Sequence, residues 1–392
     1  MKRGVLLFII LGLIGCVSAK AQKPSEFFLV DHVMTLVPES QTRTSQGLAD
    51  FVNSKFTTPK DKARAIYSWI TANISYDVDN MYAISSYRDT EELVNVALAN
   101  RKGVCMNYAE LFHKLAGLVG LKTYVVTGFT KQNGVVDAIP HSWCAGQIDS
   151  TWVFFDPTWG AGYVRDKRFV KKFNNFYFMT PPDQLIKTHM PFDPLWQFLN
   201  TPVSGPEFCE NKAANPTTAY FNFVDSLAVY NQQSAYDRLV AANRRIAQNG
   251  ARNKMVFEKI TQNKREIDYI DNNRSIDKYN LSVSSFNNGV RYLNRFVEYR
   301  NTQFTPLRPD YEIRQMLDSA SYSLEFSRKN MNEIGNPDSA ITAAMAQLNK
   351  LLDDATTHLN AQKAFLEKYF KTGKGSRKTL FMKYSWMGIP LN

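Results

Sequence analysis

The stretch that decides the fold of the first half of the chain reads Lys102-Gly103-Val104-Cys105-Met106-Asn107-Tyr108-Ala109. From Cys105 onward, apolar side chains recur every three or four residues, at Tyr108, Leu111, Phe112, Leu115, Leu118 and Val119. That spacing predicts a helix with one face in the core. Gly120 suits the left-handed conformation that ends a helix. We therefore expect a helix that begins at about Cys105 and carries this cysteine at its N-terminus.

Short β-rich segments follow the predicted helix. They run from Thr123 to Thr130, from Ile139 to Ile148 and from Thr151 to Phe155. The residues between them, Asn133-Gly134 and Asp149-Ser150, are typical of tight hairpin turns. This order predicts an antiparallel meander, and a helix packed on such a sheet gives an α+β domain.

Helical patterns lie on both sides of this region. Upstream, Thr58-Pro59 marks a helix start, and Ala63, Ile66, Tyr67, Ile70 and Ile74 share one face. Beyond residue 211 the chain is almost purely helical. Two late runs, one from Ile313 to Leu324 and one from Ile341 to Leu359, predict an antiparallel hairpin joined around Gly335, with Asn336-Pro337 capping the second helix. We place the boundary between residues 22–210 and a helical domain, 211–392, in the loop around Gly205, Pro206 and Pro216.

Three residues of the first domain suit thiol chemistry. A cysteine at a helix N-terminus beside an imidazolium has a lowered pKa, and Cys105 is in such a position. Gly103 would leave room for a substrate carbonyl beside the sulfur. His141 lies on the central predicted strand and Asp156 ends the next one, so that adjacent strands place base and orienting carboxylate side by side. We expect Cys105 as nucleophile, His141 as base and Asp156 as the residue that orients the base.

These motifs carry a family resemblance over residues 40–205. The segments 103–109, His141-Ser142-Trp143 and 152–160 are similar to the papain-like core of the transglutaminase-like superfamily, in the order Cys, His, Asp. Thr188-His189-Met190-Pro191 and Trp196-Gln197-Phe198-Leu199 resemble the branch related to the kyphoscoliosis peptidase. The resemblance implies a transglutaminase-like domain over residues 22–210, with acyl transfer on protein or peptide amides through a Cys105 thioester.

The resemblance leaves the outcome of the reaction open. A protease or amidase would use the same triad with water as acceptor, and a catalytically silent envelope scaffold would keep the fold alone. Met106 follows the cysteine where a small or polar residue is more usual, and the acidic cluster of a calcium site is not apparent, so calcium dependence is not implied. We expect no cofactor and no metal. The backbone N–H of Cys105, with Trp69 or Tyr76, would donate to the oxyanion, whereas His189 is expected to be structural.

The N-terminus predicts export. Lys2 and Arg3 precede an apolar stretch, Val5–Val17, that is short for a membrane span. Residues 1–21 are interpreted as a signal peptide with cleavage after Ala21, while Leu13-Ile14-Gly15-Cys16 also resembles a lipoprotein signal ending at Cys16. Either route predicts the periplasm, the cell envelope or the medium. The odd number of remaining cysteines, Cys105, Cys144 and Cys209, argues against a disulfide framework.

Charge is unevenly distributed along the chain. Residues 1–210 contain 21 Lys and Arg against 19 Asp and Glu, and residues 211–392 contain 26 against 17. We interpret the excess as a solvated basic helix face. The expected partner is a protein or peptide substrate, without nucleic acid, and with membrane contact only through a lipid anchor. The sequence does not indicate an oligomeric state or a purpose for the helical domain.

Overall fold

The computed structural model describes residues 26–82, 89–210, 220–250, 253–384 and 390–391. The predicted signal peptide with Cys16, and Pro216 in the predicted linker, lie outside the described residues. None of the helices in the described part of the chain is both long and apolar enough to span a membrane.

The chain divides into two compact units. The first comprises residues 1–231 and 245–257, and the second comprises residues 232–244 and 258–392. The division falls later than the boundary that we placed at residue 210, because Phe221, Phe223 and Leu227 pack into an apolar cluster with Val126 and Trp143 of the first unit.

The helices of the first unit lie before, between and after the strands of its sheet. They are α1 Phe28–Met34, α2 Ser45–Lys55, α3 Pro59–Asn73, α4 Thr90–Asn100, α5 Cys105–Leu118, α6 Pro157–Ala161, α7 Pro182–Leu185, α8 Gly205–Cys209 and α9 Phe223–Gln232. Short 3-10 helices span Glu39–Thr42, Asn175–Tyr177 and Pro194–Gln197. The predicted start of α3 is confirmed: the Thr58 hydroxyl accepts a hydrogen bond from the Asp61 N–H at 3.1 Å.

The strands of the first unit are β1 Ser75–Tyr76, β2 Lys102–Gly103, β3 Thr123–Gln132, β4 Val135–Ile148, β5 Thr151–Phe155, β6 Gly162–Arg165, β7 Arg168–Lys171, β8 Phe178–Thr180 and β9 His189–Pro191. Five of them form an antiparallel sheet in the order β8-β5-β4-β3-β9. The predicted meander is therefore its centre, and β8 and β9 extend it on either side. The expected α+β class is confirmed.

The sheet has a core on each face. On one face, Phe112 and Leu115 of α5 lie in a cluster with Cys144 and Phe155. On the other face, Val126, Trp143 and Phe154 pack with a later segment that includes Leu195 and Trp196. Because side chains alternate along a strand, His141 and Trp143 share one face of β4 and Cys144 takes the other.

The second unit is mostly helical. Its elements include α10 Ala235–Gln248 and α11 Lys254–Asn301, each partly in the first unit, then α12 Asp310–Asn332 and α13 Ser339–Lys371. A 3-10 helix, Lys374–Phe381, and two short strands, β10 Lys383–Tyr384 and β11 Pro390–Leu391, follow.

Helices α12 and α13 form the predicted antiparallel hairpin. Arg314 pairs with Glu367 and Arg328 with Asp353, so residue numbers rise along α12 where those of the facing residues fall along α13. The predicted cap is wrong: the residue that caps α13 is Asp338, whose side chain accepts a hydrogen bond from the Ile341 N–H at 2.8 Å. Asn336-Pro337 precedes this cap.

Candidate active site

Cys105 is the first residue of α5, as its sequence pattern predicts. The turn into the helix is fixed by Asn107, whose Oδ1 accepts a hydrogen bond from the Val104 N–H at 2.9 Å and whose Nδ2 donates to Leu93 O at 3.0 Å. A Cβ on Gly103 would lie 2.6 Å from Asn107 Cβ. The glycine at this position therefore admits the Asn107 side chain, which is a different reason from the substrate access that we expected.

His141 and Asp156 are brought together by the hairpin of β4 and β5. Asp156 follows the last residue of β5, and Phe155 of that strand pairs with Cys144 of β4. His141 Nε2 lies 2.8 Å from Asp156 Oδ2, and the two residues are 7% and 0% exposed. Because a carboxylate only accepts, His141 donates through Nε2–H, and its Nδ1 remains for the thiol.

Asp156 is also the N-cap of α6. Its Oδ1 accepts hydrogen bonds from the backbone N–H groups of Thr158 at 2.9 Å and Trp159 at 3.1 Å. The helix start thus fixes one carboxylate oxygen, and the other oxygen points to the imidazole. Asp156 has a local folding role as well as its predicted role in orienting the base.

Cys105 interacts electrostatically with His141. Burial alone lowers the pKa of His141, but the charge and hydrogen bond of Asp156, together with the interaction with Cys105, outweigh it and raise the pKa to about 10. A raised pKa favours the imidazolium beside the sulfur at neutral pH. The structure therefore joins His141 to Asp156 by a hydrogen bond, and Cys105 acts on the charge of the same imidazole. The catalytic roles of the three residues stay a prediction.

A second histidine binds the same carboxylate. His189 Nε2 on β9 lies 3.0 Å from Asp156 Oδ2, and His189 is 1% exposed. Its Nδ1 lies 2.8 Å from the Thr188 hydroxyl. The ring centroid lies 4.6 Å from that of Trp159 and 5.2 Å from that of Trp143. The sequence indicated a structural histidine here, and it did not reveal this contact with the predicted triad.

The pKa values of the two histidines are shifted in opposite directions. Burial lowers the pKa of His189 and outweighs the hydrogen bond and charge of Asp156. A neutral imidazole that donates Nε2–H to Asp156 accepts at Nδ1, so Thr188 O–H donates to it. Burial opposes ionisation of Asp156, but His141 first and then His189 hold the pKa of Asp156 well below its usual range. Asp156 is thus an anion with two imidazole donors.

The same three side chains could hold a metal ion. One ligand atom each of His141, Asp156 and His189 lies within 4.8 Å of the others. The separations of 2.8 and 3.0 Å between each Nε2 and Oδ2 are those of direct hydrogen bonds. Hydrogen bonding accounts for this arrangement without an ion.

The other cysteines lie in different environments. Cys144 is buried and donates to Ala109 O at 3.2 Å, in agreement with its expected core role. Burial raises the pKa of both Cys144 and Cys209. Of the two predicted oxyanion donors, Tyr76 interacts electrostatically with Cys105, while Trp69 packs under the Arg101 guanidinium at 4.7 Å.

A cavity of about 420 Å³ lies beside His141. Its aromatic walls come from Tyr76, Tyr82, Trp159, Tyr163 and Phe169. Strands β6 and β7 supply one side, and residues of β3 and β4, including Asp137, supply another. A concave, mostly apolar site next to convergent polar groups is the usual form of a ligand site.

A helix that starts at a cysteine, packed on an antiparallel sheet that carries histidine and aspartate, defines the papain-like class of folds. Residues 46–157 match the sequence model of the transglutaminase-like superfamily, so this part of the chain is similar to that superfamily. Human kyphoscoliosis peptidase is 30% identical over 184 residues, which cover 44% of this chain and 27% of that protein. Hillarin of Drosophila melanogaster is 26% identical over 207 residues, with 47% and 24% coverage.

A solved structure described as a TGase is 18% identical and covers 42% of this chain and 40% of its own, with a TM-score of 0.23. The chain spans about a quarter of the length of the two curated relatives that it matches.

Proposed function

We propose that the chain is an exported cysteine enzyme that transfers acyl groups from protein or peptide amides through a thioester on Cys105. The observation that carries the proposal is the buried hydrogen bond between His141 and Asp156, with Cys105 at the N-terminus of α5 in electrostatic contact with the same imidazole. The match of residues 46–157 to the transglutaminase-like superfamily supports a reaction of this type.

In the proposed first step, the Cys105 sulfur attacks the carbonyl carbon of the amide, and a C–S bond forms. The Cys105 backbone N–H and the Tyr76 hydroxyl donate to the developing oxyanion. Burial, with the negative charge of Cys105 next in effect, raises the pKa of Tyr76, which keeps this phenol protonated. The C–N bond then breaks, and the His141 imidazolium gives its proton to the leaving nitrogen.

In the second step, an acceptor attacks the thioester carbonyl. His141, now neutral, takes a proton from the acceptor, and the C–S bond breaks to restore the thiolate. A primary amine as acceptor gives a new amide, and water gives a carboxylic acid. The name of the human relative, kyphoscoliosis peptidase, makes hydrolysis the second candidate.

The test is to trap and identify the acyl-enzyme. Envelope extract is incubated with the purified protein and quenched in acid, and peptides that contain Cys105 are examined by mass spectrometry. We expect an acyl adduct on Cys105 in the wild type and none in Cys105→Ala. Cys209→Ala is the matched control and should keep the adduct. An adduct that is absent from the wild type, or that persists in Cys105→Ala, would count against the proposal.

The two outcomes of the reaction are separated by the acceptor. Incorporation of a biotinylated primary amine into protein supports transfer, and release of shorter peptides without amine incorporation supports hydrolysis. An unchanged product profile in Cys105→Ala supports the silent scaffold.

Export is the part of the proposal that rests on sequence alone. The basic and apolar pattern of residues 1–21 supports it. N-terminal sequencing of the mature protein should begin at Gln22, and a lipid-modified Cys16 would select the lipoprotein route instead. Retention of Met1 in the cell interior would contradict export.

A further inference from the structure

The cavity beside His141 has an unusual concentration of exposed apolar groups. Tyr82 is 75% exposed, Tyr163 is 42% exposed and Val164 is 40% exposed, and all three line it. Exposed apolar side chains that cluster around one concavity are typical of a contact surface. Since His141 also lines the cavity, an occupant would lie next to the predicted reacting bond.

Asp137 is the one carboxylate among the described residues that line this cavity. Thr130 Oγ1 donates to Asp137 Oδ2 at 2.5 Å, and Gln132 Nε2 lies 3.1 and 3.2 Å from the two oxygens. Thr130 itself is 3% exposed. The carboxylate is therefore half-buried and held in one orientation by neutral donors.

No Lys or Arg pairs with Asp137 in the part of the chain that the structure describes. Two other shielded carboxylates of this unit have such a partner. Asp77 pairs with Lys102 at 2.8 Å, and the buried Asp193 pairs with Arg245 at 2.6 Å. A half-buried carboxylate without a cation is costly unless a cation arrives from elsewhere.

A fixed carboxylate facing a cavity with aromatic walls suits an ammonium or a guanidinium. The carboxylate supplies a charge-assisted hydrogen bond, and the aromatic faces attract the cation and cover its aliphatic stem. We propose that this cavity binds a Lys or Arg side chain of the polypeptide whose amide reacts at Cys105, an inference that rests on the proposed function. Asp137 is then a specificity residue for the donor polypeptide.

The test measures binding and does not need turnover. Fluorescent six-residue peptides with a central glutamine are prepared in pairs, in which each flanking position in turn carries Lys or norleucine. Their Kd for the Cys105→Ala protein is measured by anisotropy. We expect at least one position where Lys binds about tenfold more tightly than norleucine, since the two side chains differ chiefly in charge.

The matched variants carry the second change in addition to Cys105→Ala. Asp137→Asn should reduce the ratio of the norleucine Kd to the Lys Kd to about one, while leaving the norleucine Kd itself unchanged. Asp183→Asn removes an exposed carboxylate that does not line the cavity and should keep the preference. Equal Kd values for Lys and norleucine at every position, no binding of any peptide, or a preference that survives Asp137→Asn would overturn the proposal.

Two further outcomes are distinguishable. Cadaverine and pentylamine, used as competing acceptors with the wild type, test whether the cation belongs to the acceptor. A cadaverine preference that Asp137→Asn abolishes, without any Lys preference in the peptides, would overturn the assignment to the donor. Failure of the proposed function itself would appear as a missing acyl adduct on Cys105, which the binding measurement does not use.

Discussion

Nε2 of His189 lies 3.0 Å from Oδ2 of Asp156, the same oxygen that Nε2 of His141 approaches to 2.8 Å. One buried carboxylate oxygen thus accepts from two imidazoles, one with a raised pKa and one with a lowered pKa. The neutral imidazole of His189 fixes the direction of the carboxylate and shares its charge. His189 is a positioning residue in this arrangement, because it acts on the thiol only through Asp156 and His141.

Replacing His189 by Leu should impair the site more than replacing it by Gln. Leu leaves a buried carboxylate short of one donor, at about 1–3 kcal/mol of stability, and we expect roughly a tenfold or larger loss in the rate of Cys105 acylation. Gln keeps an N–H donor near the position of Nε2 and should retain most of the rate. The readout beyond stability is the pH profile: with Asp156 bonded to His141 alone, its alkaline limb should move to higher pH in His189→Leu.

Thr188 gives the control for the His189 tautomer. Thr188→Val removes the hydroxyl that donates to Nδ1 of His189, and Thr188→Ser keeps it. The Val variant should shift the alkaline limb of the pH profile in the same direction as His189→Leu but by less. The Ser variant should leave the limb where it is in the wild type. Equal profiles for Leu and Gln at position 189 would show that His189 only fills space.

Cys105 should react with iodoacetamide faster than Cys144 and Cys209 near pH 7. The first thiol interacts with a histidine of raised pKa, whereas burial raises the pKa of the other two thiols. Mass spectrometry of the alkylated peptides over time gives the three rates. We expect a ratio of at least tenfold in the native protein that disappears in 6 M guanidinium. Equal native rates would contradict an activated thiol.

Asp156→Asn separates orientation from folding. The Asn Oδ1 can still accept from the N–H groups of Thr158 and Trp159, so helix α6 should keep its cap. Its Nδ2 group donates, and it would face two imidazole N–H donors. His141 must then adopt the other tautomer, with its proton on Nδ1. We expect a loss of about 10³–10⁴ in acylation rate with the fold retained.

Asp156→Ala is the comparison for this variant. It removes the cap as well and should cost roughly another 1 kcal/mol in urea unfolding. An Asn variant with wild-type acylation would remove Asp156 from the predicted triad.

The helices and turns that are set by local sequence patterns could be predicted from the sequence. The apolar period after Cys105 gives α5, and the turns at Asn133-Gly134 and Asp149-Ser150 have the positive φ angles that such hairpins need. The hairpin in turn places His141 and Asp156 on neighbouring strands. These inferences depend on contacts between residues that are close in sequence.

The contacts that were missed depend on distant residues. His189 is on β9, which pairs with β3 at the far side of the sheet, and no local period indicates that a three-residue strand returns there. Asp137 lies near the start of β4, and only the folded cavity shows that no Lys or Arg among the described residues pairs with it. For α13, Asn336 and Asp338 are both good capping residues, and the choice between them depends on where the preceding loop ends.

Gly128→Ala should disturb the site through β9. A Cβ at this position would lie 2.1 Å from Met190 O and 2.7 Å from Trp143 Cη2, and Gly128 pairs with both Pro191 and His141. The backbone oxygen of Met190 can move only together with its strand, so β9 and its His189 must shift. We expect a loss of about 1–3 kcal/mol in stability and slower alkylation of Cys105.

Gly117→Ala is the matched control in α5. A Cβ there meets nothing within 4 Å, and the change should be neutral or stabilise the helix by up to about 1 kcal/mol. Wild-type stability and alkylation in Gly128→Ala would show that β9 is not held by this close approach.

The pH dependence of stability should carry the signature of His141. Its pKa is raised from 6.5 to about 10 in the folded protein, so its contribution is fully present below pH 6.5 and is lost as the pH rises through about 10. Between these values the native state holds a proton that the unfolded state releases, and the free energy of unfolding should fall by about 1.4 kcal/mol per pH unit. Asp156, with a lowered pKa, contributes above about pH 4 and loses its contribution in acid.

Urea unfolding at pH 7, 8 and 9, followed by the fluorescence of tryptophans such as Trp143 and Trp159, measures the alkaline slope. His141→Gln should flatten that slope, and an equally steep fall in the variant would assign it to another group.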